Sequence, residues 1–222
     1  MQVSDIKQML SDVVTFNTIM GNSLDNKDLI STYESLTKEE FFGKGEFKDS
    51  YIKGDSEGQL DGLCDLVYTC GYWALLEGYN LENNVGTALD FADNTFLSDD
   101  IKDLEDSINE GLSGYALNNL ITILSKKEIT SKFDIVGAFN EVKRSNLSKF
   151  VPAESVDIDE EVTYIETVGR YVDIFIEEIE TEDGVLLAFK ACTDLQNNVI
   201  FKKPKLIKTR NFSEPQLEQF IL

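Results

Sequence analysis

With 222 residues, 42% of them hydrophobic and 10% aromatic, the chain can bury a sizeable core, which excludes wholesale disorder. Asp and Glu number 41 against 20 Lys and Arg, giving a net charge of −21 that repels phosphate backbones and anionic bilayers. Neither nucleic acid nor a membrane surface is therefore an expected partner. The absence of histidine removes Ser-His-Asp and Cys-His hydrolases and histidine-built zinc sites.

Three cysteines, Cys64, Cys70 and Cys192, contain no CxxC pair and fit a reducing cytoplasm. The start, MQVSDIKQMLSDVV, carries an early Asp and no long apolar run, so it reads as no signal peptide. No stretch approaches the roughly 18 apolar residues of a membrane span.

In chain order, residues 4–20 carry Ile6, Met9, Leu10, Val13, Val14 and Ile19 near a helical stripe, with Ser4 as the expected N-cap and Gly21 as the stop. Residues 26–42 repeat the pattern through Leu29, Ile30, Tyr33 and Leu36. The segment Gly43-Lys44-Gly45 interrupts it, and 46–55 resumes as a short helix. Residues 57–78 are apolar nearly all round, so this helix is expected at the centre. Helical pieces are predicted around 85–94, 98–109, 114–124 and 134–148. Beyond Pro152 and the acidic run 154–161, the chain turns rich in Val, Ile, Phe, Tyr and Thr, with DG at 183–184 and NN at 197–198 suited to tight turns. Residues 162–209 therefore read as a small antiparallel β-element, and no internal repeat or low-complexity tract is present.

Asp61 and Asp65 stand four apart on the most apolar helix, so both project from one face. Such a pair costs burial energy unless a cation or hydrogen bonds compensate it. Glu39 and Glu46 are seven apart and share a face if their helix continues, with Glu40 beside them. A short connection at Gly54-Asp55 lets the two acidic helices pack antiparallel. Facing carboxylates suit Mg²⁺, which takes oxygen ligands and leaves room for phosphate. In a chain this acidic, the same carboxylates also arise as decoration of solvated faces.

The order of these elements resembles the MazG-like all-α nucleoside triphosphate pyrophosphohydrolases, particularly their phage-encoded branch. The family carries an E-E-x-x-E segment on one helix and E-x-x-D on the next. LTKEEFFGKGEFKDSYIKGD is similar to the first, with GKG inserted before Glu46. LDGLCDLVYTCGYWALLEGY is similar to the second, Asp65 falling on the aspartate and Gly62 on the glutamate position, with Asp61 beside it. Downstream, NEVKRSNLSKF (140–150) is similar to the E-V-x-x-S-N-M-S-K segment of the phage members. VGRYVDIF and FKKPKLIK look like their distal segments.

The resemblance implies a mainly α fold (α+β overall): an all-α pyrophosphohydrolase-like bundle over 1–150, with 82–133 as a helical insert, and a β-rich extension over 151–222. It implies hydrolysis of (deoxy)nucleoside triphosphates to monophosphate and pyrophosphate with Mg²⁺, or Mn²⁺ in its place, in the cytoplasm of a bacterial host. Glu39, Glu40, Asp61 and Asp65 would be the metal ligands, and Glu39, Glu40 or Glu46 the base. Asn146 and Lys149, with Lys143, Arg144 and Lys203, would contact substrate, and the chain would form a homodimer or higher homo-oligomer. On the residues alone, Asn146 and Lys149 equally suit a helix C-terminus. Two other functions stay open: a nucleotide-binding protein that has lost turnover, and an acidic phage inhibitor acting by nucleic-acid mimicry.

Overall fold

The computed structural model describes residues 1–91, 95–181 and 184–222. The chain is mainly helical with a small antiparallel sheet. It divides into two compact units, Met1–Val142 with Gln216–Leu222, and Lys143–Pro215. Among the described residues no helix is long and apolar enough to cross a membrane.

The first unit opens with α1 (Val3–Ile19). Its cap is Gln2 and not Ser4: the Gln2 side chain and Asp5 form a reciprocal capping box, the Gln2 N–H donating to Asp5 Oδ2 at 2.8 Å. The chain leaves α1 through Gly21, whose φ of 78° is the left-handed conformation a side chain would resist. A 3-10 turn over Lys27–Leu29 leads into α2 (Ile30–Phe42), then α3 (Phe47–Lys53) and α4 (Ser56–Leu76). Asp55 caps α4 by accepting from the Gly58 N–H at 3.2 Å.

The helix expected at the centre is there. Leu60, Leu63, Leu66, Cys70, Tyr72, Trp73 and Leu76 on α4 are all buried, with α1, α2, α3 and α7 packed around them. Each such aliphatic side chain contributes about 1.5–3 kcal/mol of transfer free energy. The surround continues through α5 (Leu81–Phe91), α6 (Leu97–Asn109), α7 (Ser113–Ser125), the short α8 (Lys127–Thr130) and α9 (Ile135–Leu147). Of the piece expected around 85–94, residues 92–94 lie outside the described residues. The division between units falls within α9. The last residues return to the first unit, where Phe133 and Ile221 form a bridge and the Leu222 N–H donates to the Lys132 carbonyl at 2.8 Å.

The second unit is built on an antiparallel sheet of β1 (Phe150–Pro152), β2 (Tyr171–Thr181), β3 (Gly184–Asp194) and β4 (Val199–Leu206), with β3 paired to the other three. Its core is Val151, Ile165, Leu187, Phe189, Ala191 and Ile207.

One expectation is corrected here. Residues 162–168 belong to a helix, α10 (Ile158–Val168), and not to the β-element. Asp157 caps it, accepting from the Glu160 N–H at 3.1 Å, while Asp159, Glu160 and Glu161 fill the first turn and Gly169 ends it at φ 69°. Those end signals outweigh the β-branched composition between them. The turn at 197–198 falls between β3 and β4 as expected, with Asn198 at φ 53° and the Asn197 N–H donating to Asp194 Oδ1. Asp183 of the DG pair lies outside the described residues.

Candidate functional site

Glu39 and Glu40 lie in the last turn of α2, whose end is enforced by the connection that follows. Gly43 is pressed so closely that a Cβ would meet the Glu39 carbonyl oxygen and Glu46 Cγ, each at 2.6 Å. Gly45 takes φ 90°, and its N–H donates to Asp49 Oδ2 at 2.7 Å. The helix therefore does not continue, and the expected shared helical face of Glu39 and Glu46 does not exist. Glu46 instead occupies the N-cap position of α3, folded back over Gly43.

That fold-back gathers the carboxylates another way. Glu40 is half-buried, and its carboxyl is pushed up to about 8. Burial is the largest cause; the charge of Asp65, the charge and hydrogen bond of Glu46, and the charge of Glu39 follow. Residues from α2, the start of α3 and α4 thus act on one carboxyl group. Asp61 and Asp65 are both half-buried, and both raise the thiol of the buried Cys64 lying between them in sequence, though burial dominates there. Glu39 is exposed.

Gly62, at the expected glutamate position, cannot carry a side chain. A Cβ would lie 2.8 Å from the N, Cα and Cβ of Phe47. The position is spent on the approach of α3 to α4, an approach that also fixes Glu46, the residue before Phe47. Neither glycine's packing role is visible in local sequence, although the doubled glycine flanking Lys44 marks the break.

Among the described residues no three His, Cys, Asp or Glu side chains are gathered closely enough to ligate one ion. The candidates are all carboxylates, the donor type a hard divalent cation takes, but as placed they do not converge on one ion.

The expected substrate contacts lie in the second unit. Lys149 Nζ donates to Asn146 Oδ1 at 2.6 Å and lies 5.9 Å from the Phe212 ring centroid. Arg144 Nη2 donates to the Glu214 carbonyl at 3.2 Å, and Ser148 Oγ accepts from the Ser213 N–H at 3.0 Å. Asn146 and Lys149 are thus direct neighbours at the end of α9. Lys143 is half-buried on the same helix. Lys203 belongs to β4, its side chain outside those described. Arg170 is held by Asp194, its Nε and Nη2 donating to Oδ2 at 3.0 and 2.9 Å. Asp194 is buried, so this pair is part of the sheet's framework.

No protein-family model, curated protein or solved structure matches the chain.

Proposed function

We propose that the chain hydrolyses nucleoside or deoxynucleoside triphosphates to monophosphate and pyrophosphate. The observation that supports this reading is the half-buried Glu40 on α2, whose carboxyl is pushed up by burial and by Asp65, Glu46 and Glu39, residues that the fold brings to it from α2, the start of α3 and α4. Glu39, Glu40, Asp61 and Asp65 would hold Mg²⁺, or Mn²⁺ in its place. When bound, the ion supplies neutralisation of the triphosphate and of charge developing on the leaving pyrophosphate.

In the reaction, water attacks the α-phosphorus. A new oxygen–phosphorus bond forms, the bond to the bridging oxygen of pyrophosphate breaks, and the water proton passes to a carboxylate. Glu39, Glu40 or Glu46 takes that proton, since the chain has no imidazole. In the second unit, the amide of Asn146 and the ammonium of Lys149 have the chemistry of nucleotide contacts. Homodimerisation is part of the same reading, and light scattering at micromolar concentration tests it.

A second reading has its own observation. Because Gly62 admits no side chain, the position where the motif it resembles has a glutamate is empty and only the neighbouring Asp61 could stand in, which favours a protein that binds nucleotide without turning it over. Pyrophosphate release across a panel of NTPs and dNTPs, with and without Mg²⁺, separates the two. Release that needs Mg²⁺ and disappears in Asp65→Ala supports hydrolysis. Nucleotide binding with no release supports the second reading, and no binding at all sinks both.

A further inference from the structure

We propose that Lys44, the middle residue of the Gly43-Lys44-Gly45 connection, is a phosphate-binding residue of the carboxylate site; this rests on the triphosphate hydrolysis reading above. Four lysines and no arginine lie between Ile30 and Leu76, the stretch that carries every carboxylate acting on Glu40. Three of the four lysines are engaged: Lys38 with Glu34, Lys48 with Glu105 and Lys53 with Asp49, each at 2.6 Å. Lys44 is exposed, and among the described residues it forms no ion pair. Its charge is felt at Asp49, whose carboxylate is already bound by Lys53.

The connection holding Lys44 is fixed on both sides. Gly43 is wedged between the Glu39 carbonyl and Glu46 Cγ, and its own carbonyl accepts from the Glu46 N–H at 3.2 Å. Gly45 is tied to Asp49 through its N–H, and its carbonyl accepts from Ser50 Oγ at 3.0 Å. Lys44 is thus the one side chain between the end of the Glu40 helix and Glu46, carried on a backbone that has little freedom left to lose. A polyanion brought to clustered carboxylates meets repulsion, and the ammonium of Lys44, carried two residues before Glu46 in the chain, would offset part of it. A lysine recognises phosphate as a point charge and carries no information about base or sugar.

The test is steady-state pyrophosphate release with Mg²⁺ for wild type, Lys44→Gln and Lys44→Arg, over several NTPs and dNTPs. Lys44→Gln should raise KM about tenfold for every nucleotide, with a much smaller effect on kcat, as expected for a contact made equally in the ground and transition states. Lys44→Arg should restore most of the affinity, and the KM of wild type should rise with salt more steeply than that of Lys44→Gln. An active wild type with unchanged KM in Lys44→Gln overturns this inference and leaves the hydrolysis reading standing. A wild type that releases no pyrophosphate from any nucleotide overturns the reading, and the inference with it.

Discussion

Gly62 on α4 and Phe47 on α3 meet backbone to backbone, so closely that a Cβ on Gly62 would lie 2.8 Å from the Phe47 N and Cα. This contact explains two features together. It denies a carboxylate to position 62, and it anchors the first residue of α3, next to Glu46, against the helix that carries Asp65. Both Glu46 and Asp65 act on Glu40.

Gly62→Ala should therefore destabilise the protein, although alanine is the better helix former by about 1 kcal/mol. The clash is with backbone, which cannot rotate aside, so a net loss of about 2 kcal/mol is expected in urea unfolding. Gly62→Glu should cost more and should not increase pyrophosphate release. A stable Gly62→Glu protein with higher turnover would contradict the packing argument.

Glu40→Gln should have opposite effects on stability and activity. The amide keeps the shape of the side chain but carries no charge to be buried beside Asp65, Glu46 and Glu39. Metal-free protein at pH 9 should gain about 1 kcal/mol in thermal or urea unfolding, while Mg²⁺-dependent turnover falls at least a hundredfold. Loss of stability in the amide variant would mean that the neighbouring carboxylates do not strain Glu40.

The pH dependence of stability follows from the same group and from Asp194. Glu40 holds its proton up to about 8 in the folded chain but only to the ordinary carboxylate range when unfolded. Between those limits the folded state binds more protons, so stability falls as pH rises through the window and levels off above it. Asp194 behaves inversely: the hydrogen bonds from Arg170 hold its carboxyl down at about 2. Its contribution is present above the ordinary range and is lost as pH falls towards that value. Hydrogen exchange without Mg²⁺ should show the first unit more protected at pH 6 than at pH 9, and the second unit losing protection below pH 4. Added Mg²⁺ should flatten the first trend, because a ligand that binds only the folded state adds stability where the carboxylates are charged.

Most of the helical framework is legible in the sequence because it rests on local signals. The apolar girth of α4, Gly21 after α1 and the paired glycines before α3 each mark structure a few residues away. The misreadings have local causes too. Val162, Thr163, Tyr164 and Ile165 favour strands by composition, yet Asp157 and Gly169 bracket them with a cap and a stop, and Ile158, Val162 and Ile165 follow a helical spacing. What local sequence cannot contain is proximity. The gathering of Glu39, Glu46 and Asp65 around Glu40 depends on the Gly62–Phe47 approach, and the strand Phe150–Pro152 exists only because β3 offers it an edge.

A buried ion pair elsewhere in the first unit was not foreseen for the same reason, and it yields the largest predicted stability effect. Lys126, between α7 and α8, places Nζ 2.6 Å from Asp100 Oδ2 on α6, with side chains only 4% and 7% exposed. The ammonium also donates to the Thr95 carbonyl at 2.6 Å and to Thr95 Oγ1 at 3.1 Å, and that hydroxyl donates to Asp100 Oδ1 at 2.6 Å. Each charge depends on the other, since neither has enough water to solvate it alone. Lys126→Met leaves Asp100 buried without its counter-charge and should cost about 3–5 kcal/mol in urea unfolding. The double variant Lys126→Met with Asp100→Leu removes both charges and should recover much of that loss. The coupling from the complete double-mutant cycle measures the pair itself. If the double variant proves as unstable as the sum of the two single changes, Lys126 and Asp100 contribute through their separate packing and not through each other.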